Sequence, residues 1–152
     1  MRPEQARKVN LSAMFLHSYF VADGGSLVPT EAEFVDLADG NLLLADSVTG
    51  ALAQLTGQTF DQVLDNVPER DERFPDDESA TPMWATTIDM LKFVHASDWQ
   101  QKPDISTAYD FPTAFRSSFN LAVATTFVFA EKTRQSPIAA AKMFADLAER
   151  EM

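Results

Sequence analysis

Carboxylates are the side chains in this sequence most obviously able to do chemistry. Between Asp61 and Glu78 lie eight of them (Asp61, Asp65, Glu69, Asp71, Glu72, Asp76, Asp77 and Glu78) against Arg70 and Arg73. A cation site would need these oxygens in a fixed rhythm around a glycine turn, and Pro68 and Pro75 interrupt the run instead. Adjacent exposed acids such as Asp76 and Asp77 do not make a water-excluded general acid–base pair. The ordinary reading is a solvated acidic surface. His17 and His95 are the two histidines, and they share no recognised ligand spacing with a third donor. Both fall among apolar residues and are expected at a core boundary. With no cysteine there is neither a disulfide framework nor a thiolate metal site. None of the five glycines stands in a phosphate-binding pattern, and the sequence has no nucleophile elbow. The expectation is no catalytic residue, no cofactor and no metal.

What remains is charge. The chain of 152 residues carries a net −11, while its first ten residues are net basic through Arg2, Arg7 and Lys8. That field repels nucleic-acid backbones and anionic membrane and attracts basic protein surfaces. The sequence therefore points to a non-enzymatic interaction protein, an inhibitor or adaptor, whose partner is a protein with a basic surface. Small size, acidity and lack of motif form a profile shared with phage and plasmid anti-defence proteins and with immunity proteins. Glu69, Asp71, Glu72, Asp76, Asp77 and Glu78 are the expected partner contacts. Trp99 and Tyr109, aromatic residues with polar handles, are the expected anchors. Self-association into a homo-oligomer is the other partner reading. The second reading is a ligand-sensing domain that holds a small apolar molecule among the phenylalanines.

These residues need a scaffold, and length and 45% hydrophobic content suit a single domain over 1–152 with a real core. Its centre is expected at Phe111–Ala130, which holds five of the twelve phenylalanines. As a helix the segment starts at Pro112 and lines Phe115, Phe119, Ala122, Thr126 and Ala130 on one side. As a strand it shows period two, with Phe115, Phe119, Leu121, Val123, Phe127 and Phe129 on odd positions. Strands are usually about three to ten residues long, so twenty residues without a turn signal favour a helix. The charge-free run from Ser117 to Ala130 is too short to span a bilayer. The N-terminal stretch does not look like a signal peptide, and a cytoplasmic location is expected.

Around that centre the pattern gives an all-α bundle of about five to seven helices with a central helix over 112–131. A first helix over 3–22 carries Val9, Ala13, Leu16 and Phe20 on one stripe. Thr81–Pro82 starts a helix to about residue 97, and Ser136–Pro137 starts one to about residue 150. The last two helices are expected to pair, with 82–97 and 3–22 as walls. An acidic loop over 67–81 and a polar connection over 97–110 complete the chain.

Residues 30–66 admit two readings. In the first, Thr30 and Glu33 form a capping box, a helix stops at Asp39–Gly40, and a second runs from Asn41 to Thr56. Thr59 and Gln62 then cap a short helix that Pro68 ends. In the second, Phe34–Leu37 and Leu42–Leu44 pair as a hairpin around Asp39–Gly40. A hairpin followed by LTGQTFDQVL resembles the first half of a PAS sensor domain. Leu55, Gly57, Thr59, Val63 and Leu64 would fill that family's helical junction. The resemblance covers Phe34 to Asn66, and it implies an α+β fold with a ligand pocket.

Overall fold

A computed structural model describes residues 2–22, 31–68, 80–100 and 111–152, without the side chains of 31–35, 80–83 and 111–113. Six helices are found there: α1 (Pro3–Val21), α2 (Glu31–Thr56), α3 (Phe60–Asp65), α4 (Ala80–Ala96), α5 (Phe111–Lys132) and α6 (Pro137–Glu149). No strand occurs among the described residues, so the protein is all-helical. The PAS-like hairpin is not formed: the α+β alternative fails at its first element.

Local chemistry sets several of the helix ends. Thr59 Oγ1 accepts from the Gln62 amide at 3.2 Å while Gln62 Oε1 accepts from the Thr59 amide at 3.0 Å, the expected capping box. Ser136 Oγ accepts from the Ala139 amide at 3.1 Å, and Pro137 occupies the first turn. Gly57, at φ 72°, takes the left-handed conformation that ends α2. Helix α4 begins at Ala80, one residue before the expected Thr81 cap.

Helix α2 corrects the sequence reading most sharply. It runs unbroken through Asp39 and Gly40, where both readings placed a stop or a turn. Gly40 serves a different purpose. A Cβ on it would lie 2.3 Å from the Lys8 carbonyl oxygen, so glycine here lets α1 and α2 backbones touch. The next residue, Asn41, is fully buried. Its Oδ1 accepts from the Ser12 hydroxyl of α1, and its Nδ2 donates to Ser118 Oγ of α5 at 3.2 Å. Ser118 in turn donates to the Phe115 carbonyl at 3.0 Å. Three helices are thus held in register by one satisfied polar chain.

The contacts Arg7–Asp36, Lys8–Asp39 and Ser12–Asn41 advance in the same sense along both helices, so α1 does not fold back on α2 as a hairpin. Helix α5 is central as expected, but its main partner is α2 rather than α6. Helix α6 lies chiefly along α1. There Ala140, Ala141, Ala145 and Ala148 are buried in the cluster that holds Val9, Ala13 and Leu16, and Asn10 Nδ2 donates to the Ala145 carbonyl at 2.9 Å. Small residues explain the preference, because alanine allows a closer approach than the phenylalanine-rich flank of α5. The phenylalanines of α5 mostly pack on aromatic residues of α1. Phe15 meets Phe115 and Phe119 edge-on at 5.6 Å, Tyr19 meets Phe119 at 4.9 Å, and Phe20 meets Phe127 at 5.4 Å. A second core of Ala38, Leu42, Ala45, Leu64, Leu91, Val94 and Leu121 lies between α2, α3, α4 and α5.

Candidate functional site

The C-terminal end of α4 gathers the side chains with the most chemistry among the described residues. His95 and Asp46 lie 49 positions apart and meet there, Nδ1 to Oδ1 at 2.7 Å. Helix α2 presents Asp46, α4 presents His95, and Phe60 at the start of α3 lays its ring on the imidazole. The two rings stack with centroids 3.6 Å apart and planes 3° from parallel. Sequence periodicity placed His95 at a core boundary; its side chain is 43% exposed, against 21% for Asp46.

Electrostatics pull on Asp46 in two directions. Burial pushes its carboxyl above the ordinary range, His95 and Trp99 pull it down, and the Asp98 charge adds to the upward push. Trp99 Nε1 is buried and makes no hydrogen bond of good geometry among the described residues. With the proton on Nδ1 the imidazole donates to the carboxylate, and Nε2 is left for another group. This arrangement can orient an imidazole, take up a proton at its rim and present negative charge beside aromatic surface.

The backbone that carries Trp99 is strained. Asp98 (φ 51°) and Trp99 (φ 61°) both occupy the left-handed region, which costs an L-residue about 1–2 kcal/mol. The Trp99 amide bonds the Val94 carbonyl at 2.8 Å and the Asp98 amide bonds that of His95 at 3.0 Å, capping α4 without a glycine.

Of the expected partner contacts, only Trp99 belongs to this cluster. Glu69, Asp71, Glu72, Asp76, Asp77, Glu78 and Tyr109 lie outside the described residues, as do the Thr30 half of the expected capping box and most of 97–110. Of the acidic loop over 67–81, Val67 and Pro68 follow α3, and Ala80 and Thr81 already belong to α4. Next to that segment stand described acids. Asp61, Asp65 and Asp89 are exposed about Lys92, whose Nζ contacts Asp65 Oδ1 at 2.6 Å, and Asp98 is exposed beside Asp46. The Asp65 hydrogen bond raises the Lys92 pKa above its ordinary value.

No group of three or more metal-ligating side chains occurs among the described residues. None of the described helices is long and apolar enough to cross a membrane. The phenylalanines expected to line a ligand cavity are absent from the walls of the described groove, which has a volume of about 440 Å³. It lies between the end of α2, α3 and the end of α5, and its apolar walls are Leu52, Val63, Val67 and Val128. The sequence reading missed the Asp46–His95 pair and this groove; both depend on helices far apart in the chain. No family model matches the chain, and neither a curated protein nor a solved structure is detectably similar to it.

Proposed function

We propose that this chain is a small, acidic, non-catalytic interaction module that docks on a basic patch of a target protein, as an inhibitor or adaptor of the anti-defence or immunity type does. The observation that carries the reading is the placement of charge. Asp61, Asp65 and Asp89 stand exposed around Lys92 on the α3–α4 side, and Asp98 adds its charge beside Asp46. The same side receives both ends of the acidic run, at Pro68 and Ala80. In a chain of net −11 this is where a positive partner surface is drawn first. Trp99, half-buried beside Asp46 and His95, supplies an aromatic anchor at the edge of that charge.

The test is kinetic. With a partner captured from the native host and purified, reversing the charges of Asp76, Asp77 and Glu78 together is expected to slow association by about tenfold at low salt and to flatten its salt dependence. Unchanged association and affinity would remove the reading.

A further inference from the structure

On the face of α3 turned away from His95 the chain has a second feature. Phe60 and Leu64 of α3 pack into the core shared with α4, whereas Val63 and Val67 pack into the one shared with α1 and α5. Gly57 turns the chain off the end of α2, so that α3 comes back against Leu52. Between α3 and the last turns of α5 this leaves the groove of about 440 Å³, within the range of about 300–1,000 Å³ usual for small-molecule sites. Its apolar wall is narrow: Leu52, Val63 and Val67 are each at most 5% exposed, and Val128, half-buried, completes it.

The polar part is at the rim. Of the residues lining the groove, Lys132 is the one with an ionisable side chain. It is exposed and makes no ion pair among the described residues. Gln58 and Asn66 offer amide donors beside it; Asn66 Nδ2 already donates to the Gln62 carbonyl at 2.8 Å, which leaves its second N–H.

We propose that this groove binds a small amphipathic carboxylate, with its alkyl chain on Leu52, Val63, Val67 and Val128 and its carboxylate at Lys132. The Leu and Val side chains give an aliphatic wall on which an alkyl chain can lie. One unpaired ammonium at the mouth sets the sign of the head group. The carboxylate has a cost to overcome, since the carbonyl ends of α2 and α5 also face this corner. Lys132 and the rim amides offset it locally, against the −11 net charge of the whole chain. The site does not depend on the docking reading: it uses none of the acidic side chains and lies across α3 from His95.

Octanoate is the probe, titrated into methyl-labelled protein and followed by NMR, with octanol and octylamine as controls. Saturable shifts are expected at the Leu52, Val63, Val67 and Val128 methyls, with octanoate the tightest of the three. Lys132→Gln is expected to weaken octanoate about two- to fivefold and leave octanol unchanged. Gln58→Trp, an exposed substitution at the mouth, is expected to abolish the shifts for all three; Val128→Trp serves if the first variant loses its native spectrum. The proposal is overturned if octanoate produces no saturable shift at millimolar concentration, if the shifts centre elsewhere, or if Lys132→Gln leaves the preference over octanol intact.

Discussion

Asn41 and Asp46 stand five positions apart on α2, and the protein treats them in opposite ways. Asn41 is neutral, fully buried and satisfied from both sides by Ser12 and Ser118. Asp46 is ionisable, mostly buried, and held between a burial that disfavours its charge and a histidine that favours it. The backbone around Asn41 is ordinary helix, whereas the backbone opposite Asp46 carries two left-handed residues in succession. Strain and half-satisfied charge at one site, with regularity and completeness at the other, separate a part that specifies the fold from one whose interactions are incomplete. Substitutions that strike the two sites should therefore differ in kind as well as size.

The largest effect is expected next to Asn41. In Gly40→Ala the new methyl meets the Lys8 carbonyl oxygen, a backbone atom that cannot swing aside, and unfolding by denaturant should show a loss of about 3 kcal/mol with an unchanged slope. Gly50→Ala is the matched control on the same helix. Its methyl would touch nothing within 4 Å, so it should stabilise by up to about 1 kcal/mol. Equal effects from the two would mean that Gly40 has no role in the α1–α2 approach.

Next in size is Asn41→Ala, expected to cost about 2–3 kcal/mol because it strands the hydroxyls of Ser12 and Ser118. Replacing all three partners with apolar residues (Ser12→Ala, Asn41→Leu and Ser118→Ala together) should recover part of that loss. A triple variant no better than the single one would show that packing, not polar satisfaction, dominates there.

Asp46→Asn should have the smallest effect, and its signature is a pH dependence. Burial raises the folded-state pKa of Asp46 above its unfolded value, so the folded form binds the proton more tightly. Its contribution is fully present below the ordinary aspartate range and is lost as pH rises through the raised folded value. The stability of wild type relative to Asp46→Asn should accordingly decline across the window just above the ordinary aspartate range and then level off. A difference that grows with pH instead would place His95, rather than burial, in control of the carboxyl.

What the sequence made legible was local. Thr59 with Gln62 and Ser136 with Pro137 announce helix starts because the capping partners lie within three residues. The length of the Phe111–Ala130 run likewise decided helix over strand. Asp39–Gly40 misled because the same two letters serve a hairpin turn and a close helix crossing, and the atom that decides between them belongs to Lys8, 32 residues earlier. The Asp46–His95 pair spans 49 residues and the Asn41–Ser118 bond spans 77, beyond any local periodicity. Trp99 was recognisable by type, as an aromatic residue with a polar handle in a polar stretch. Its left-handed backbone was not, because no glycine marks that helix end.

The pairing of α1 with α6 carries a further consequence, for the order of events in the cell. The stripe of Ala6, Val9, Ala13 and Leu16 finds much of its cover on a helix whose Ala145 carbonyl receives the Asn10 side chain across 135 residues. Chains grow from the N-terminus, so that stripe leaves the ribosome before the helix that covers it has been made. Closing so distant a contact is also slow once the chain is free. Until α6 is made, that stripe lacks the cover that Ala140, Ala141, Ala145 and Ala148 give it.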